Sequence, residues 1–357
     1  MEMTGKEEEQ DVLSISVVIP VYNAASYLEA CLSSVLFQSF TNLEIIVIDD
    51  GSTDASLSVL KGYASSDSRI KLLQQENSGP SVARNKGLAS ATGDLIFFLD
   101  ADDTIEPESL YALVEDFIAT DADLVIGAFR KFLPDGSPVG GFAPLNSGLL
   151  DCDDVVALAK SYLNEPNRYL HFAYSWGRLF KRSIINAHGL SFDEGLRSFE
   201  DVKFNFHYLK HCKSVFVSKF NVYRFLVRDD HSSMTFLIGE DPERLLGYND
   251  AIGSIASYIS DIDPGENISC EMATAYLSLS VIQIIRICVN IDLTNYKKIY
   301  KSLAQVVHND QIISSLKIYR AKKGQSKLIP ILMKYQLVSL LMLACTVRGR
   351  KRYGKKL

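Results

Sequence analysis

At 357 residues with a net charge of −6, and with 47% apolar and 22% charged residues, the chain has the composition of one or two folded domains, not of a fibrous or disordered protein. Its acidic balance disfavours nucleic acid as a partner, and its six cysteines, scattered without a CxxC pair, read as reduced core residues and not as a disulfide framework or zinc site. Residues 1–10 are acidic and polar and lack the basic start and apolar run of a secretory signal, so the expected location is cytoplasmic.

Residues 1–12 are expected to form a disordered tail. Residues 14–20 (Ser-Ile-Ser-Val-Val-Ile-Pro) predict a β-strand, and apolar residues at helical spacing from Ala24 to Phe40 predict a helix. A second buried strand covers 43–48 and runs into Asp49-Asp50-Gly51-Ser52. Ser52 or Thr53 is placed to cap a helix over 54–65. A third strand is expected over 70–74, a helix over 81–91 stopping at Gly93, a strand over 95–99, a helix over 108–119 and a strand over 123–130. Strands alternating with helices predict βαβ units and a mostly parallel sheet with helices on both faces. Residues 134–148 read as a loop, the alternation stops after Asp151, and from about Pro242 the pattern is helical to the end.

Ligands of open α/β sheets gather beyond the carboxyl ends of the strands. Those ends here carry Pro20-Val21-Tyr22-Asn23, Asp49-Asp50 and Asp100-Ala101-Asp102-Asp103. Three carboxylates within four residues of an apolar strand repel one another unless a cation intervenes. Mg²⁺ or Mn²⁺ suits such oxygen donors and brings phosphates with it. Helix capping by Asp102 or Asp103 would explain one carboxylate and leave the others over. The first βα turn has no glycine and there is no Walker A loop, so a nucleotide would be held by acidic groups and not by a glycine cradle. Asp50 is the candidate for a base or ribose, although a simple turn would also explain Asp49-Asp50-Gly51-Ser52. Further on, Glu200-Asp201 is either a helix cap or a catalytic pair flanked by Phe199 and Phe204. Trp176 is either core bulk or a platform for a sugar ring.

The blocks V-V-I-P-V-Y-N, I-D-D-G-S-T-D, S-G-P-S-V-A-R-N-K-G-L and G-D-L-I-F-F-L-D-A-D-D occur in this order within about ninety residues. Together they resemble family 2 glycosyltransferases with the GT-A fold. The resemblance extends more loosely through residues 176–181 and Glu200-Asp201 to about residue 235. It implies a Rossmann-like GT-A domain over 13–235, with a nucleotide-binding half (13–130) and an acceptor half (131–235), followed by a helical extension over 236–357. It implies an inverting transfer from a nucleotide-diphospho-sugar, UDP by family habit, to a hydroxyl of a glycan or polyprenyl-linked acceptor, as in surface-polysaccharide synthesis, with Mn²⁺ or Mg²⁺ as cofactor. By the same resemblance Pro20, Asn23, Asp50, Arg84, Asn85 and Asp100 line the donor site, Asp102 holds the metal, and Asp201 is the base. Trp176 and Glu200 are placed toward the acceptor. Arg224, Arg228 and His231 lie in a stretch similar to a loop that closes over the donor phosphates, with His231 as a further candidate metal ligand.

Two other readings stand beside it. Phe97-Phe98-Leu99-Asp100-Ala101-Asp102-Asp103-Thr104 also fits the motif of haloacid-dehalogenase-type phosphatases, with Asp100 as nucleophile and Asp102 as acid/base. A non-catalytic sugar-binding module is the other. After Asp310 there are twelve Lys or Arg and no Asp or Glu. Residues 328–347 approach the length of a membrane span, but Lys334 and Gln336 interrupt them, so an interfacial helix on the inner face of the cell membrane is expected ahead of a packed helix or a true span.

Overall fold

The structure, a computed structural model, describes residues 13–143, 147–166, 168–196, 198–228, 247–289, 291–321 and 326–353. They fall into two compact units. The first takes its residues from Met1–Val155, His171–Gly195 and Glu200–Val227, the second from Val156–Leu170, Leu196–Phe199 and Arg228–Leu357.

The first unit is built on a ten-stranded sheet. Its first four strands are β1 (Ile15–Val21), β2 (Leu43–Asp50), β3 (Ile70–Gln75) and β4 (Leu95–Phe98). They pair in parallel in the order β3-β2-β1-β4. Every residue of β4, and every residue of β1 except Pro20, is buried, as expected of strands covered on both faces. Pro20 is tolerated in a central strand because the ladder to β4 ends at Val18↔Phe98, so nothing on that side needs its missing N–H. The connecting helices are α1 (Leu28–Leu36), α2 (Ser56–Ser66), α3 (Pro80–Ser90) and α4 (Ser109–Thr120). The chain winds outward from β1 to β3 and then returns to β4 on the other side of β1. That reversal opens a crevice above the carboxyl ends of β1 and β4.

Beyond β4 the sheet departs from the expected parallel pattern. It continues through β9 (Arg178–Lys181), β6 (Leu124–Phe132), β10 (Val215–Leu226) and the short β5 (Thr104–Ile105). The strand β9 runs antiparallel to both neighbours, β4 and β6. Two more antiparallel strands pair with β6 and β10: β7 (Pro138–Phe142), inside the stretch read as a loop, and β8 (Gly148–Leu150), which starts at its last residue. The sheet is therefore mixed. Its short edge strands carry too few alternating residues to be read from periodicity.

Some local expectations are corrected. The first helix occupies only residues 28–36 of the stretch 24–40. Neither Ser52 nor Thr53 caps α2, whose N-cap is Ala55. Neither Asp102 nor Asp103 caps α4, whose N-cap is Glu108 with no side-chain bond. Gly93 does not close α3, which ends at Ala91 in extended backbone. Gly93 is needed instead for close approach: a Cβ there would lie 2.7 Å from the Ser16 nitrogen and 2.8 Å from the Ile15 carbonyl carbon.

Helix α5 (Cys152–Asn164) falls mostly in the second unit, while α6 (Arg182–Ala187) and α7 (Glu200–Leu209) complete the first. The second unit is helical, with α8 (Tyr248–Ile262), α9 (Ser269–Val289), α10 (Tyr296–Val307), α11 (Asp310–Ile318), α12 (Leu328–Lys334) and α13 (Val338–Tyr353). The centre is α9, packed against α8, α10, α11 and α13. It is the one described helix long and apolar enough to cross a membrane, and most of it is buried among its neighbours. The stretch 328–347 is not one helix. It breaks between α12 and α13, where Gln336 takes a left-handed φ of 54°.

Gly93→Ala is expected to lower stability by about 1–3 kcal/mol, because backbone atoms of β1 cannot yield as a side-chain tip can. A urea midpoint shifted down at unchanged slope is the expected result.

Candidate functional site

Three carboxylates converge on one buried cation. Arg84, on the buried side of α3, is 5% exposed. Its Nη2 donates to Asp100 Oδ1 at 2.9 Å, and its Nη1 donates to Glu200 Oε1 at 3.1 Å. Asp201 Oδ1 lies 3.7 Å from Nη1. The guanidinium also sits over the Phe192 ring at 5.3 Å. Asp100 ends β4 at the crevice, while Glu200 and Asp201 open α7, so a planar fork of fixed donors ties the sheet end to a helix more than a hundred residues away. Three nearby acids hold Arg84 firmly protonated against the cost of its burial.

The pair on α7 is shielded. Burial and the neighbouring Asp201 push Glu200 up to about 7, with Arg84 opposing. Burial also raises Asp201, against the pull of Arg84, the Ser175 hydroxyl and Arg178. Ser175 donates its hydroxyl to Asp201 Oδ1 at 2.6 Å. One carboxylate that leans toward neutrality beside another fixed by a hydroxyl is an arrangement suited to moving a proton.

The turn after β4 is braced from far along the chain. The Tyr223 hydroxyl accepts from the Asp100 N–H at 3.1 Å and donates to Asp103 Oδ2 at 2.8 Å. Asp103 Oδ1 accepts from the Leu226 N–H at 2.7 Å. Asp103 is 1% exposed, and burial together with its acidic neighbours pushes its pKa well up. It is a structural group, whereas Asp100 and Asp102 are each only half-buried at the turn.

The other candidate residues hold parts of the fold together. Asp50 is 3% exposed, and both its oxygens are taken: Oδ1 accepts from Gln75 Nε2 and the Ser78 N–H, each at 2.8 Å, and Oδ2 from the Gly79 N–H at 2.9 Å. It clamps the loop between β3 and α3. Asn23, with φ 48°, accepts from the Thr53 N–H at 2.8 Å and so braces the turn after β2. Asn85 exchanges hydrogen bonds with the Phe192 backbone at 2.8 and 2.9 Å, and holds the 192–194 loop. Trp176 is 4% exposed and stacked between Tyr174 at 4.4 Å and Tyr223 at 4.1 Å. Both of its faces are covered, so it is core and not an open platform for a sugar. His231 lies outside the described residues. Among those residues no group of three or more His, Cys, Asp or Glu is arranged to hold a metal ion.

Sequence reading missed Tyr223, Ser175 and Arg178. Only Arg178 left a trace: a cation inside the apolar run Trp176-Gly177-Arg178-Leu179-Phe180.

The sequence profile described as "Glycosyl transferase family 2" matches residues 16–187. "Glycosyltransferase GlyG" of Streptococcus pneumoniae is 31% identical over 209 residues, covering 57% of this chain and 68% of that protein. The chain belongs to glycosyltransferase family 2. A second relative, "Putative glycosyltransferase EpsH" of Bacillus subtilis, is 33% identical over 224 residues, 60% of this chain, and the match spans only 61% of EpsH. Among solved structures, S. aureus TarS 1–349 in complex with UDP-GlcNAc superposes with a TM-score of 0.65 at 19% identity, covering 96% of this chain and 93% of that one. The fold is therefore the GT-A fold, with a helical C-terminal region. The phosphatase alternative finds no support: its motif would sit on the fourth strand, and its nucleophile, Asp100, is the partner of Arg84.

A carboxyl group whose pKa is higher folded than unfolded binds its proton more tightly in the native state. Stability then falls as pH rises between the two values. For Glu200 that window runs from about 4.5 to about 7. Glu200→Gln is expected to flatten this decline, read as Tm against pH from 4.5 to 7.5.

Proposed function

We propose that this chain is an inverting glycosyltransferase that moves a sugar from a nucleotide-diphospho-sugar to an acceptor hydroxyl. The observation that supports it most is the convergence of Asp100, Glu200 and Asp201 on buried Arg84 at the reversal point of the sheet. Single displacement needs one base on the acceptor side and a fixed anchor on the donor side. Asp201 is the base: shielded, positioned by Ser175 and raised in pKa, it accepts the proton of the attacking hydroxyl as the new bond forms on the face opposite the departing diphosphate. Asp100, steadied by Arg84 and by Tyr223, holds the donor's ribose.

UDP is the proposed nucleotide, supported by the UDP-GlcNAc in the TarS structure of the same fold. Asp102 would hold a divalent cation. One half-exposed carboxylate beside a diphosphate suits Mg²⁺ or Mn²⁺, which bind through one or two carboxylates plus substrate phosphates. Such a cation would neutralise charge on the leaving group. The 13–235 region is read as the catalytic domain, and 236–357 as an extension.

The acceptor is read as a glycan or lipid-linked glycan, reached from the inner membrane face. On α12 Leu328 and Ile331, and just after it Tyr335, are exposed at 56, 49 and 66%. On α13, Leu340, Leu343 and Val347 are exposed at 52, 62 and 62%. Both sets follow i, i+3, i+7 spacing, while Ile329, Leu332, Met333, Leu341, Met342 and Cys345 fill the buried faces. Exposed Lys327, Lys334, Arg348, Arg350 and Lys351 accompany them. Two helices apolar on both faces and flanked by cations suit an anionic bilayer interface.

Asp201→Asn is expected to reduce sugar transfer by about 10²–10⁴-fold while leaving UDP affinity near wild type, measured by product formation and calorimetry. Retained transfer would remove Asp201 from the base role. Leu340→Asp with Leu343→Asp is expected to abolish flotation with phosphatidylglycerol vesicles without changing Tm, since both side chains already face solvent.

A further inference from the structure

Arg178 is a buried cation that the proposed reaction does not use. It is 3% exposed, and neither its Nε nor its Nη1 has a hydrogen-bond partner among the described residues. A buried guanidinium without hydrogen bonds is costly and uncommon in native folds, and needs a reason.

Its place in the sheet supplies one. The antiparallel register of β9 on β4 pairs Leu95 with Lys181 and Ile96 with Phe180, and continuing it sets Arg178 beside Phe98. Arg178 thus stands at the carboxyl end of β4, the ligand end of the sheet. Alternation puts it on the same face as Phe180. That face is covered by α7: Phe180 packs against Phe204 at 5.6 Å and Tyr208 at 5.0 Å. The first turn of α7 carries Asp201, so Arg178 and Asp201 share one side of the sheet at one end. Burial pushes Arg178 down to about 9, and among the described residues the carboxylate whose charge resists this is Asp201. The Arg178 charge also helps burial push His171 down to about 4, so no second cation competes there.

We propose that Arg178 is a positioning residue for Asp201, its unpartnered guanidinium and the Asp201 carboxylate acting as each other's counter-charge inside the fold. The groups facing Asp201 are Arg84 from α3, Asp100 from the end of β4, Glu200 beside it on α7, the Ser175 hydroxyl and Arg178 from β9. Arg84 is shared among three acids. Arg178 is the cation left over for Asp201. Its effect is to keep a buried base ionised, ready to accept a proton. This inference rests on Asp201 being the base.

The test combines a thermal double-mutant cycle with a pH profile, both on the full chain. In the cycle, Asp201→Asn alone strands Arg178 and lowers Tm. In an Arg178→Met background the same change is expected to cost less than half as many degrees. In the profile, Arg178→Gln is expected to move the acid limb of kcat/KM for sugar transfer up by about one pH unit, because the base loses a stabilising positive charge. Arg178→Lys is expected to restore most of that shift. Additive Tm losses, or an acid limb that does not move in Arg178→Gln, would each overturn the proposal. Asp201→Asn that still transfers sugar would instead remove the base assignment, and the thermal cycle would still report whether the two charges are coupled.

Discussion

The site depends on one buried guanidinium. Arg84 could not remain inside the first unit without its acids, and Asp100 and Glu200 would repel each other at the crevice without Arg84. The same side chain therefore satisfies the electrostatics of three elements: α3, the end of β4 and the start of α7. Geometry follows from that charge balance. Asp100 is aimed by its bond to Arg84, and Glu200 is drawn to the opposite arm of the same fork. A lysine in this place would offer a point charge with no fixed angle between partners.

A second constraint is aromatic. Trp176 lies between Tyr174 and Tyr223, and Tyr223 reaches from that stack to the backbone of Asp100 and the carboxyl group of Asp103. Gly177 allows the arrangement: with φ 69° it turns the chain between the stack and β9, where Arg178 begins the strand. Packing and polar chemistry are joined here in one residue, because the Tyr223 ring fills the core while its hydroxyl sets the acid turn.

The parallel half of the fold and its acidic crevice were legible in the sequence. Continuous apolar runs such as Leu95–Phe98 have only one comfortable place, between two helical layers. The antiparallel half was not legible. Four residues of β9 and two of β5 hold no periodicity, and their pairing depends on partners distant in the chain. Site residues divided in the same way. Acids at strand ends could be named, but sequence does not say which acid meets a cation and which meets a backbone amide. Asp50 and Asn85 match motif positions and are engaged with nearby loops. Asp103, adjacent to the motif, turned out to be a brace. Arg178 could be noticed in its apolar run, but that its Nε and Nη1 find no hydrogen bond among the described residues is a fact of three dimensions.

The brace on the acid turn has a consequence for the order in which the molecule is made. The hydrogen bonds that fix Asp100 and Asp103 come from Tyr223 and Leu226, some 120 residues downstream. Contacts of such long sequence separation form late, since the loop between them must first be closed. A nascent chain that has emerged only through residue 130 carries all four sequence blocks and the whole β3-β2-β1-β4 core, but its acid turn is still unset. The acid turn is therefore set only when β10 is laid down beside β6, and its geometry is a property of the finished sheet and not of the segment that bears the sequence blocks.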